Sequence, residues 1–136
     1  PGRKVVSGGT TANIVSRVTG KAVTVDITYP NPDIPPTGSI EGVDLVTEGV
    51  LTLNAVAERL QSKQLYYLHN RLQDGATMLM KFLLEADEIE ILAGKAINPA
   101  HQNTHFPMQI NLKAQVLDKL ICSLRDVGKT VTIEWV

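Results

Sequence analysis

Apolar positions along the chain fall into two alternating rhythms. Short runs that are continuous or of period two are followed by longer stretches with apolar residues three and four apart. Residues 4–7 predict a short apolar strand ending at Gly8-Gly9. Thr10-Thr11-Ala12-Asn13-Ile14-Val15 then predicts a helix that starts on a threonine cap. Val23, Val25 and Ile27 alternate with Thr24, Asp26 and Thr28, as in a strand with one wetted face at a sheet edge. Pro30, Pro32, Pro35 and Pro36 remove backbone donors and fix φ, so residues 30–38 predict a stiff surface loop.

The same rhythm then repeats. Residues 43–46 predict a second inner strand, and Thr47-Glu48-Gly49 leads into a helix with Leu53, Val56, Ala57 and Leu60 on one face. Residues 63–71 read as helical without one clean apolar stripe. Asp74 is placed to cap a helix carrying Ala76, Leu79, Met80, Leu83 and Leu84, closed by Asp87. Glu88–Ala93 predicts a third inner strand. Residues 94–107 form a long polar, irregular segment, of a kind that is often functional in compact domains. A long helix with Leu112, Val116, Leu120 and Leu124 spaced by four ends at Gly128, and Val131, Ile133 and Trp135 alternate in a closing strand.

This order predicts a layered α/β domain with a mainly parallel sheet of about four or five strands flanked by helices, one or two edges being antiparallel. The expectation is a single domain over residues 1–136, without repeat or linker. Composition narrows its role. With 136 residues and 43% hydrophobic the chain can bury a core. Lys+Arg of 13 against Asp+Glu of 14 leaves no basic excess for a phosphate backbone or a membrane surface. No apolar run approaches the roughly 18 residues of a membrane span, and no secretory signal is present, so a cytoplasmic location is expected. Pro1, running almost at once into a strand, reads as a piece of a longer protein. Cys122 has no partner for an internal disulfide, and its apolar helical setting predicts a buried, inert thiol.

In open α/β sheets ligands bind outside the carboxyl ends of the strands. Three connections are candidates: Ser7-Gly8-Gly9-Thr10-Thr11, Thr47-Glu48-Gly49 and Ala93-Gly94-Lys95-Ala96-Ile97-Asn98. Each combines glycine with hydrogen-bonding residues, and free amides at a helix start favour an anion. The plainer reading of Gly8, Gly9 and Thr10 is a tight turn and a cap. Glu48 at a helix start is plainest as a solvated, dipole-stabilised carboxylate. It could join Glu41 and Asp44 around a metal, but that spacing matches no known cage. His101 and His105 have the spacing of a helical zinc pair, yet Pro99 and Pro107 bracket them and nothing completes the site. His69 reads as a partly exposed helical residue. Gly128-Lys129-Thr130 ends like a P-loop but lacks the upstream glycine, Ser123 standing there.

Three longer strings carry a resemblance. Val5-Val6-Ser7-Gly8-Gly9-Thr10-Thr11-Ala12-Asn13-Ile14-Val15 is the first. Ile34-Pro35-Pro36-Thr37-Gly38-Ser39-Ile40-Glu41-Gly42-Val43-Asp44-Leu45-Val46-Thr47-Glu48-Gly49 is the second, and Ala96-Ile97-Asn98-Pro99-Ala100-His101-Gln102-Asn103 the third. Together with Asp74-Gly75-Ala76 and Gly128-Lys129-Thr130-Val131, they resemble the C-terminal region of bacterial stage II sporulation protein E family phosphatases. That resemblance implies a parent protein with an N-terminal metal-dependent serine/threonine phosphatase domain, a hydrolase. This chain would be the region that follows it. The family's metal ions are held by aspartate motifs of that preceding domain. Asp74-Gly75 is the only Asp-Gly pair here, so the resemblance brings no catalysis, no metal and no cofactor.

The expected function is a non-catalytic regulatory or ligand-sensing domain. It would bind a small anionic or polar ligand at Gly8, Gly9, Thr10, Thr11, Asn13, Glu48, Asn98 and His101 and act on a phosphatase domain in the same chain. Two alternatives stand beside it. One is an interaction or homodimerisation module using the loop around Pro35-Pro36 and the strand of Val23, Val25 and Ile27. The other is a small enzyme with Glu48 or His101 as acid or base.

Overall fold

The structure, a computed structural model, describes residues 2–26, 32–63, 73–94 and 106–136, with side chains in the last helix from residue 112 onward. In chain order it contains β1 (Val5–Ser7), α1 (Gly9–Thr19), β2 (Thr24–Val25), β3 (Gly38–Ser39), β4 (Leu45–Thr47) and α2 (Val50–Gln61). The later elements are α3 (Gly75–Glu85), β5 (Glu88–Ala93), α4 (Phe106–Asp126) and β6 (Thr130–Trp135). The helical reading of residues 63–71 falls largely outside the described residues.

The strands form a four-stranded sheet in the order β1-β4-β3-β2 and a separate pair β5-β6. Among the described residues β1–β4 and β5–β6 pair parallel, while β2–β3 and β3–β4 are antiparallel. The protein is therefore mixed α/β rather than built on one mainly parallel sheet. The described cause lies between β3 and β4, where a short direct connection between neighbouring strands makes them antiparallel. Gly42 at φ 91 turns the chain between β3 and β4, where the Val43 N–H donates to the Ile40 carbonyl at 3.0 Å. The hydrophobic pattern does not reveal β3, because Gly38 and Ser39 carry no apolar side chain. A side chain at Gly38 would meet the Thr24 carbonyl at 2.8 Å, so the pairing requires glycine there. β2 lies at the sheet edge as expected, though Ile27 is outside the described residues.

Side chains alternate across β1 and β4, dividing the apolar residues into two clusters. Val5 and Leu45, opposite one another, face Val56, Ala57, Leu60, Leu79, Met80, Leu120 and Leu124 from α2, α3 and α4. Val6 and Val46 face Ala12 and Val15 of α1, with Ile40. Helix α1 thus covers one face of the sheet, and α2 with its neighbours covers the other. Ile34, in the proline segment read as a surface loop, is 6% exposed and belongs to the larger cluster. That segment also explains Gly75, since an added Cβ would lie 3.1 Å from Thr37 Cγ2 and 3.5 Å from the Pro35 carbonyl. Cys122 is exposed, correcting the expectation of a buried thiol. α4 buries Val116, Leu117, Leu120, Ile121 and Leu124, and Cys122 falls between the buried rows.

A buried charged group ties α2 to α3. The Arg59 guanidinium donates through Nη1 to Asp74 Oδ1 at 3.0 Å, through Nη2 to Oδ2 at 2.9 Å, and through Nη1 to Thr77 Oγ1 at 3.1 Å. Asp74 Oδ1 also accepts from the Thr77 N–H at 2.7 Å and so caps α3, as its sequence position predicts. Burial pushes the Asp74 carboxyl up, but the Arg59 and Thr77 hydrogen bonds outweigh it and hold the group at about 2, against an ordinary 3.8. Stability drawn from the ionised carboxylate is therefore complete above pH 3.8 and is lost as the pH falls toward about 2. Replacing Arg59 with alanine leaves a buried carboxylate without its main partner and is expected to cost about 3–5 kcal/mol. Urea unfolding at pH 7 measures this loss, and a parallel series from pH 5 to 2 should show a smaller acid-dependent loss in Arg59→Ala than in the parent chain.

Candidate functional site

The strand-to-helix turns after β1 and β4 lie side by side. Because β1 and β4 are adjacent and parallel, both turns emerge at the same end of the sheet. The Gly8 N–H donates to the Thr47 carbonyl at 2.9 Å, and the Ser7 and Thr47 hydroxyls are hydrogen-bonded at 2.9 Å. A Cβ on Gly49 would sit 3.5 Å from Gly8 Cα, so the two turns touch through glycine. Helices α1 and α2 then leave toward opposite faces of the sheet. This is the switch-point geometry at which open α/β sheets form ligand crevices.

Each turn presents the amino end of a helix. α1 begins at Gly9 with Gly8 at φ 106 as its cap, and its first helical bond runs from the Ala12 N–H to the Gly8 carbonyl. The expected threonine cap is corrected: the cap residue is Gly8, which has no side chain to cap with. The tight reversal needs the positive φ that glycine adopts freely, so the helix starts before Thr10. α2 begins after Gly49, with its first bond from the Leu53 N–H to the Gly49 carbonyl, and likewise has no side-chain cap. The amides of Gly9, Thr10 and Thr11 and of Val50, Leu51 and Thr52 therefore have no acceptor inside their helices. Both helix dipoles place positive potential at this end of the sheet.

Glu48 lies between the buried Thr47 and the cap Gly49. It is half-buried, and its Oε2 is shielded from solvent with no hydrogen-bond partner among the described residues. That overturns its reading as a solvated surface carboxylate. Thr52, in the first turn of α2, is fully buried with an equally unpartnered Oγ1. The acidic trio weighed as metal ligands is dispersed. Asp44 Oδ2 accepts from the Lys4 N–H at 2.6 Å, and Glu41 pairs with Lys21 at 3.3 Å. Among the described residues no group of three His, Cys, Asp or Glu is placed to hold a metal ion.

Of the expected site residues, Gly8, Gly9, Thr10, Thr11 and Glu48 belong to the two neighbouring turns. Asn13 is exposed farther along α1. Asn98 and His101 lie outside the described residues, as do His69 and His105, so the described site holds no imidazole. The third connection is described only through Gly94, which lines the same cleft of about 810 Å³ as Ser7 and Thr11. Lys113 is a member of this region that sequence reasoning does not single out. Its Nζ donates to the Gly94 carbonyl at 2.8 Å and lies 6.0 Å from the centre of the Trp135 ring, and burial pushes its pKa down. The only signal for it in the sequence is a lone lysine at the start of an apolar helical stretch.

The chain matches no family model, no curated protein and no solved structure. Among the described residues no helix is long and apolar enough to cross a membrane.

The turn geometry carries two expected outcomes. Gly8→Ala forces a Cβ onto φ 106 and should lower stability by about 1–3 kcal/mol. Thr52→Val removes an unpaired buried hydroxyl at nearly constant volume and should raise it by about 1 kcal/mol. Urea midpoints at constant slope measure both.

Proposed function

We propose that the domain is a non-catalytic ligand sensor whose binding site is the crevice between the turns after β1 and β4. The observation that carries this reading is the contact of Gly8 with Gly49, which brings two uncapped helix starts and the unpartnered Glu48 Oε2 to one end of the sheet. The backbone amides of Gly9, Thr10 and Thr11 suit an anionic group. The half-buried Glu48 carboxylate accepts only from a donor, so the ligand that suits both carries an anionic end and a hydroxyl or amine. Sugar phosphates and hydroxy acids are of that class. In the parent protein implied by the resemblance, occupancy of this crevice would tune an attached serine/threonine phosphatase.

A thermal-shift screen of inorganic phosphate, nucleotides, sugar phosphates and hydroxy acids tests the reading. A ligand that binds only the folded chain adds about 2.7 kcal/mol at a hundred times its Kd. Sugar phosphates or hydroxy acids should raise Tm more than inorganic phosphate does. Glu48→Gln should remove that advantage, and Thr11→Val should weaken binding. A screen in which no compound moves the Tm would sink the proposal.

A further inference from the structure

The cleft of about 810 Å³ runs between β1 and β5. It is lined by Val5, Val6 and Ser7 on one side and by every residue of β5 on the other. Among the described residues β1 is the end strand of its sheet, β5 pairs only with β6, and no strand lies between them. Both strands lie over the same helices. Val5, Ile89 and Ile91 pack against one core cluster, and Leu53, Leu79, Leu83, Leu117 and Leu120 floor the cleft. The two strands also run the same way. Arg3, before β1, pairs with Glu85, before β5, while Thr11 and Gly94 line the cleft beyond the other ends.

Hydrogen bonding within each sheet identifies the free backbone groups. The Lys4 carbonyl and the Gly8 N–H engage β4 and its flanks, so alternation turns the N–H and C=O groups of Val5 and Ser7 toward the cleft. On β5 the Asp87 and Ala93 carbonyls accept from Thr130 and Val136. The groups of Glu88, Glu90 and Leu92 therefore face the cleft from the other side. Among the described residues two open edges flank an apolar floor, which is the arrangement of a sheet lacking one strand.

The lining charge selects the occupant. Glu88, Glu90 and Asp87 are exposed carboxylates along the cleft, whereas Arg3 is paired with Glu85 and Lys113 with the Gly94 carbonyl. On β5 the side chains alternate, with Ile89 and Ile91 toward the helices and Glu88 and Glu90 away from them. A strand lying beside it would place apolar residues over the floor and meet the glutamates with the alternate positions. Neither Thr24–Val25 nor Thr130–Trp135, the strands at the far edges of the two sheets, carries a basic residue, so neither from a second copy matches.

We propose that this cleft binds an extended segment of a partner protein in which apolar and basic residues alternate. The segment adds as a strand between β1 and β5. This mode takes affinity from main-chain hydrogen bonds and selectivity from alternate side chains. The inference does not rest on the small-ligand reading.

The test uses the 136-residue chain and an acetylated octapeptide of alternating lysine and valine, with a glutamate–valine octapeptide as control. The lysine peptide should bind by fluorescence anisotropy and raise the hydrogen-exchange protection of the Val5, Ser7, Glu88, Glu90 and Leu92 amides at least tenfold. The paired substitution Glu88→Lys and Glu90→Lys, at exposed positions, should weaken it about tenfold. Four results overturn the proposal: no binding, equal binding of the glutamate peptide, protection along β2 instead, or the five amides already protected in the free chain. With no small ligand present, Glu48→Gln should leave peptide binding unchanged, which separates this test from that of the small-ligand crevice.

Discussion

The parallel pairing of β1 with β4 decides which face of the sheet each helix covers. Strands of three residues each contribute little burial alone, but their register places Val5 beside Leu45 and Val6 beside Val46. One step of alternation thereby assigns neighbouring side chains to opposite layers, and a slip of one residue would exchange the two clusters entirely. α1 is held to one face because Val6 and Val46 point there, and α2 to the other because Val5 and Leu45 do. The placement of the two turns is a consequence of that division: chains leaving adjacent parallel strands toward opposite faces form the switch point at which open α/β sheets bind ligands. Gly8 and Gly49 let the turns touch at its base.

On the helical side, Arg59, Asp74 and Thr77 fix how α2 meets α3. With side chains 7% and 6% exposed, Arg59 and Asp74 bear a desolvation cost that only bidentate geometry and the cap bond offset. Such a group contributes orientation more than net stability. It brings the start of α3 against Pro35 and Thr37, where Gly75 gives the needed clearance, and so carries the proline segment into the core through Ile34.

Much of this architecture is legible in the sequence. The strand at β5, the caps at Asp74 and Gly128 and the apolar face of α2 arise from local rules that tertiary packing does not contradict. The sheet arrangement is not legible, because β3 is two residues of glycine and serine whose pairing depends on β2 and β4. Arg59 escapes a reading by pattern although it stands three residues after Val56, on the apolar stripe of α2. A charged residue in that position signals a buried partner. Glu48 shows the opposite error: a helix-start carboxylate has an ordinary surface explanation, and nothing in the local sequence signals that its Oε2 is shielded from solvent. Cys122 sits among apolar neighbours in sequence but between buried rows in space.

The crevice and the cleft are not independent in space. Ser7 binds the Thr47 hydroxyl at the crevice and also lines the cleft, and Thr11 stands in the first turn of α1 and lines it too. On the two proposals together, a segment in the cleft beside β1 would constrain the strand from which the crevice turn springs, and a ligand at that turn would constrain the strand in return. Linkage makes any such effect reciprocal: whatever factor a ligand applies to strand affinity, the strand applies to ligand affinity. The size of that factor depends on how differently the Gly8 turn is held in the filled and empty states, since a ligand shifts an equilibrium only by its differential affinity. Gly8, with no side chain to lock its position and a φ open to few other residues, is the point in the chain where that difference would be expressed.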